Sequence, residues 1–202
     1  MSQNIGNVRI ISGSLAGLSE QDFARKEEAA IAAAIRKALT NNVADSPSGL
    51  VVRDIYPDKD LLDGNGNAIS SRRWVQPVSG TWTTGDSDVV VYKTGANVKY
   101  DKKVYVIYGV KQVGVAPYKA TGSFNTTSIT INKGESKTII TADLQAAETD
   151  QHLTLRFANP VVFGTSEEMR ILLRPKPNVS GTTDTFMLLG KVIEAVGETV
   201  NG

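Results

Sequence analysis

Residues 104–110, Val-Tyr-Val-Ile-Tyr-Gly-Val, constrain the fold more than any other stretch of this chain. In a strand, side chains alternate between faces, so Val104, Val106, Tyr108 and Val110 fall on one side and Tyr105 and Ile107 on the other. Both sides are apolar. Such a strand has no face to offer water, so it must be central in its sheet or sandwiched between layers.

Material for those layers lies on either side of it. Residues 19–41 read as the one long helix. Phe23, Ala30, Ile31, Ala34, Ile35, Ala38 and Leu39 recur at helical spacing on one side, and Arg25, Lys26, Arg36 and Lys37 lie on the other. Ser19 is placed to cap its start, with Asp22 three residues on, and Asn41 and Asn42 supply the stop. Glu27 and Glu28 interrupt the apolar side near its beginning. After the Asp45–Gly49 linker the composition changes to Val, Thr, Gly, Asn and aromatic residues in short runs. We therefore expect an N-terminal arm, helix and linker over 1–49 and a β domain over 50–202.

The expected strands are Leu50–Ile55, a short one at Trp74–Val75, Asp88–Lys93, Val104–Val110, Ser128–Ile131 with Lys137–Thr141 as a hairpin around Asn132-Lys133-Gly134-Glu135, Leu153–Phe157, Met169–Arg174 and Phe186–Ile193. The fold class is mainly β with one N-terminal helix (α+β), arranged as an antiparallel sandwich, jelly roll or barrel. Val8, Ile10 and Ile11 form a β-prone run in the arm. They either open the domain sheet or lie on a neighbouring subunit.

Composition narrows the function. The net charge is +1 and the charges are spread evenly along the chain, so no basic block tracks a phosphate backbone and no nucleic-acid partner is expected. There are no cysteines, which removes disulfides and thiolate chemistry. Met1–Asn7 lacks the pattern of a secretory leader, and no apolar run reaches the roughly 20 residues of a membrane span, so we expect a chain made in the cytoplasm without a membrane partner. The single histidine, His152, has no second histidine or cysteine to join it, and we read it as a strand-edge residue. No phosphate loop, dinucleotide fingerprint or nucleophile elbow is present. We expect no enzyme, no catalytic residues, no cofactor and no resident metal.

Three features invite a binding role. Arg72-Arg73-Trp74 combines residue types enriched at binding hot spots, against the plainer reading of a packed tryptophan beside two exposed arginines. Trp82 is similar. The turn Asp63-Gly64-Asn65-Gly66-Asn67 starts like a calcium loop but puts Ala68 and Trp74 where an EF-hand needs Gly and Glu, so it reads better as a solvated turn.

The hairpin segment Ser128-Ile129-Thr130-Ile131-Asn132-Lys133-Gly134-Glu135 and the turn Asp63–Asn67 after Leu61 and Leu62 resemble tailed-bacteriophage virion structural proteins, as does the Gly/Thr/Asn-rich β domain with its helical arm. The resemblance implies a decoration, neck, tail or baseplate role. It implies a virion location, and partners that are copies of the chain and other virion proteins. The partner-binding residues are then expected to be Val8, Ile10, Ile11, Arg72, Arg73 and Trp74. The alternative is a carbohydrate-binding β module that uses Trp74 or Trp82 on a glycan, with calcium near Asp63.

Overall fold

A computed structural model describes residues 4–5, 8–10, 20–74, 88–95, 102–113, 126–143, 154–175 and 185–197. In chain order the elements are β1 (Asn4–Ile5), β2 (Val8–Ile10), α1 (Glu20–Thr40), a 3-10 turn at Pro47–Gly49, β3 (Leu50–Asp54), α2 (Pro57–Asp60), β4 (Leu62–Asp63), β5 (Val89–Lys93), β6 (Val104–Val113), β7 (Thr126–Lys133), β8 (Lys137–Asp143), β9 (Thr154–Phe163), β10 (Met169–Pro175) and β11 (Thr185–Ala195). They form two sheets, here called A and B. Sheet A has the order β1-β2-β9-β6-β11-β3 and sheet B the order β4-β5-β10-β7-β8. Every ladder is antiparallel. The fold is a mainly β sandwich with one long helix; the two sheets stay separate and no barrel closes.

Strand β6 meets the constraint of its sequence by lying in the interior of sheet A with a layer on each side. Tyr105 and Ile107 face sheet B and join Phe157, Phe163, Ile129, Ile131, Ile140, Ile171 and Leu173 in the main core. Val104 and Val106 face the other way and pack with Ile193 against Ala34, Ala38 and Val43 at the end of α1. The alanines on the helix let it sit close to the sheet, so α1 and Val43 share a core with the β layer.

One expectation about this strand fails. Val110 was placed on the face of Val104 and Val106, but it belongs to the inter-sheet core with Tyr105 and Ile107. The cause is a bulge. Between the paired rows Ile107↔Val161 and Gly109↔Arg156, β6 spends only Tyr108 while β9 spends Phe157–Pro160, and β6 slips against β11 at the same place. One unpaired residue reverses the alternation for everything after it. Gly190 stands at this slip in β11. A Cβ there would lie 2.4 Å from the Val106 carbonyl oxygen and 2.9 Å from Ile107 Cδ1, so the close strand approach admits no side chain.

Other expectations hold with adjusted ends. The hairpin forms as β7 and β8, with Gly134 at φ 67° in the turn. Helix α1 ends as its asparagines suggest. Asn42 is left-handed at φ 56°, its N–H donates to Leu39 O, and the Val43 N–H donates to Ala38 O, which together close a Schellman motif. Val43 then drops into the core beside Ala38. The sequence did not signal β1, β4 or the single-turn α2. Trp74 lies in irregular backbone rather than in a strand. Ser19 and the remainder of that expected strand fall outside the described residues, as do His152, Trp82 and Ile11.

Glu167 ties the three layers at one end. Its Oε2 accepts from the Gly164 N–H at 2.7 Å and from Lys37 of α1 at 2.8 Å, and Oε1 pairs with Lys133 of β7. Burial alone would raise its pKa. The Gly164 N–H and the two lysines outweigh burial and bring the value down to about 2.

Two outcomes follow from these contacts. Gly190→Ala should lower the urea midpoint by the equivalent of about 2 kcal/mol, because the nearest atom to the new methyl is the Val106 carbonyl oxygen, which cannot move aside as a side chain can. Because the folded pKa of Glu167 lies below its ordinary 4.5, its contribution is present at neutral pH and is lost as pH falls from 4.5 toward 2. Urea unfolding across that window should show a steeper loss for the native chain than for Glu167→Gln. The difference should be on the order of 1 kcal/mol, the size of a partly exposed ion-pair cluster.

Candidate interaction site

The two sheets meet along one side of the sandwich through the edge strands β3 and β4, with α2 between them. Tyr56 and Pro57 start α2, and Pro at its first position suits a helix that needs no N–H there. This geometry delivers Asp60, wholly buried, against the side chain of Arg53 from β3. Glu194 of β11, 1 % exposed, sits across from Val51 and reaches the same guanidinium. Lys103, just before β6, closes the group.

Arg53 donates to both Asp60 oxygens, at 2.6 and 2.8 Å, and to both Glu194 oxygens, at 2.6 and 2.9 Å. Lys103 Nζ donates to Asp60 Oδ1 at 2.8 Å and to the Lys59 carbonyl at 3.1 Å, and lies 3.5 Å from Glu194. The Tyr56 N–H and the Tyr105 hydroxyl complete the shell on Asp60. Two cations and two carboxylates thus balance in a nearly dry site. Burial would push the Asp60 pKa up, but the bonds from Arg53 and Lys103 win and hold it low. Burial would lower that of Arg53, and the two carboxylates reverse this and raise it.

The cluster is a latch. It fixes β3 to β11 laterally and to α2 and β6 from below, so the outermost strand of sheet A is held rigid. Among the described residues β3 pairs only with β11. Val52 (38 % exposed) and Val196 (64 %) are the two large apolar side chains exposed among those residues, and both lie at this edge. Val52 sits opposite Ile193, and the Val196 N–H donates to Gly49 O, just before β3 starts.

The expected Arg72–Trp74 contact corner adjoins the latch. Arg72 lies over the Tyr56 ring, 4.9 Å from its centroid, while Arg53 lies 5.6 Å from the same ring. Arg72 also reaches Asp58 at 3.4 Å. Arg73 is exposed. Trp74 packs against the main core and meets Tyr92 edge-on at 5.5 Å, in line with the plainer reading of that corner. The arm residues Val8 and Ile10 lie in β2, whose ladder runs along β9 of the same chain, so this segment opens the domain sheet.

The turn Asp63–Asn67 is held by its own backbone. Asp63 Oδ1 accepts from the N–H groups of Asn65 and Asn67, and Oδ2 accepts from the Asn67 side chain. Among the described residues, no three His, Cys, Asp or Glu side chains gather as a metal site. No helix among them is long and apolar enough to cross a membrane. Sequence reasoning did not find Arg53, Asp60, Lys103 and Glu194, because the group assembles only in the fold.

No protein-family model, no curated protein and no solved structure matches the chain.

Arg53→Met should cost about 3–5 kcal/mol in urea unfolding, because it leaves two buried carboxylates facing one cation. Lys103→Met should cost less, since Arg53 still binds both carboxylates. Equal losses from the two variants would contradict the central place given to Arg53.

Proposed function

We propose that the chain is a non-catalytic structural subunit of a virion-like assembly, which stabilises a capsid or tail through subunit–subunit contacts. The observation that carries the reading is the β3 edge. A strand with an open edge and an exposed valine is a ready template for another strand, and natural sheets ordinarily blunt such edges. Here the edge is instead stiffened from behind by the Arg53–Asp60–Glu194–Lys103 latch. A preorganised edge loses little freedom when a partner strand adds to it.

A five-residue strand alone buries less than the roughly 1,000 Å² of a stable interface. The adjacent Arg72–Arg73 corner extends the contact area on the same side of the sandwich. The virion part of the reading rests on the resemblance of the turn and hairpin segments. The preferred partner is a second copy of the chain.

Light scattering coupled to size exclusion tests this. The native chain should self-associate as its concentration rises, and Val52→Lys should remain monomeric with an unchanged unfolding midpoint. A native chain that stays monomeric throughout, or a Val52→Lys variant that associates as well as the native chain, would overturn the β3 interface.

A further inference from the structure

We propose that two copies of the chain pair through β3 as an antiparallel, two-fold symmetric ribbon centred on Val52, with Val52 opposite its counterpart and Leu50 opposite the partner's Asp54. This pairing rests on the β3 contact proposed above and fixes the direction and register of the partner strand.

One hydrogen bond and an unbroken register give the direction of each backbone group in β3. The Val196 N–H donates to Gly49 O at 2.9 Å, so that row of the β3–β11 ladder is a hydrogen-bonded one. Bonded and non-bonded rows alternate along an antiparallel ladder. This ladder runs from Ala195↔Leu50 to Lys191↔Asp54 without a shift. Val51 and Arg53 therefore turn their N–H and C=O toward β11, while Leu50, Val52 and Asp54 turn theirs to the opposite side.

Two of these outward groups are engaged within the chain. The Leu50 N–H donates to Pro47 O, and Asp54 O accepts from Arg53 Nη1 at 2.9 Å. The Leu50 carbonyl, the Val52 N–H and carbonyl, and the Asp54 N–H remain. Among the described residues no turn or loop bond takes them.

That remainder is complementary to itself. A half turn about an axis through Val52, normal to the sheet, places a second β3 antiparallel beside the first. The Val52 N–H and carbonyl of each copy then meet the carbonyl and N–H of the other, and each Asp54 N–H meets the partner's Leu50 carbonyl. The one further bond this register would demand runs from the Leu50 N–H to the Asp54 carbonyl. Those are the two groups already engaged at home, so no outward group is left over.

The side chains favour the same register. Each charged residue faces an aliphatic one, Asp54 opposite Leu50 and Arg53 opposite Val51. Parallel pairing in register would set Asp54 against Asp54 and Arg53 against Arg53, and like charges directly opposed destabilise a sheet. Asp54 is neutralised within its own chain by Lys191 at 2.6 Å. The exposed Val52 gains a cover, and sheet A continues into that of the partner with both α1 helices on the same face. A two-fold contact is closed, so association through this edge stops at a dimer.

The chain has no cysteine, so single cysteines report the register cleanly. Val52→Cys should form a disulfide-linked dimer in a glutathione redox buffer, because directly opposed residues lie about 5.5 Å apart at Cα, within disulfide reach. Asp54→Cys alone should link at least about tenfold more slowly, since its two copies are offset by roughly 13 Å along the strands. A mixture of Leu50→Cys and Asp54→Cys chains should link one to the other. Asp54→Cys linking as fast as Val52→Cys, or Val52→Cys failing to link while the native chain dimerises in light scattering, would overturn the register; the Val52→Lys variant then still decides the β3 contact by itself. A native chain that stays monomeric would sink the contact and the register together.

Discussion

The structure depends on burying both faces of β6. A strand with two apolar faces needs two covers, and each cover is supplied by a different part of the chain. Sheet B covers Tyr105 and Ile107. The alanine-lined end of α1 covers Val104 and Val106. Each buried aliphatic side chain gains about 1.5–3 kcal/mol from leaving water, so losing either cover would cost several such terms together. The helix is therefore not an appendage to the sandwich. It is the third layer, and Glu167 links that layer to both sheets at one end.

The same strand also organises the polar features. Lys103, immediately before β6, supplies one corner of the buried latch. Tyr105, its second residue, holds the Asp60 carbonyl. Tyr108 marks the bulge, and Lys111 follows it. A buried ion-pair network is weak evidence for stability in itself, because desolvation offsets most of the attraction. Its stronger consequence is geometric. Arg53 grips both carboxylates through paired bonds, so β3, α2 and β11 can meet in only one register.

Much of the fold was legible in the sequence because it depends on local periodicity. The helix showed through its apolar spacing and its asparagine stop, and the β7–β8 hairpin through Asn132-Lys133-Gly134-Glu135. The illegible parts depend on contacts between distant residues. Val110 was assigned to the wrong face because a bulge leaves little mark in a single strand; only the match to β9 and β11 reveals it. The latch joins residues from four separate segments, and none of them stands out in its own neighbourhood. The Pro57 start of α2 was the one local sign that the chain turns sharply there, and the sequence reading passed over it. Trp74 shows the ambiguity of residue type taken alone. Its residue type suggested a binding surface, but Tyr92 and the core already occupy one side of the ring.

The edges of the sandwich are treated unequally, and this asymmetry bears most directly on function. Sheet A ends on one side in the two-residue β1 and sheet B in the two-residue β4. Edges this short offer few backbone groups to a stray strand. At the opposite edges, β8 of sheet B runs seven residues, and β3 of sheet A runs five and carries Val52. If edge protection were the only demand, the same shortening or a central lysine would have served there too. The chain instead places Arg53 and its two carboxylates behind this strand, which removes the flexibility that could let the edge twist out of reach. This braced edge, with Val52 exposed on it, is the feature on which the proposed subunit contact rests.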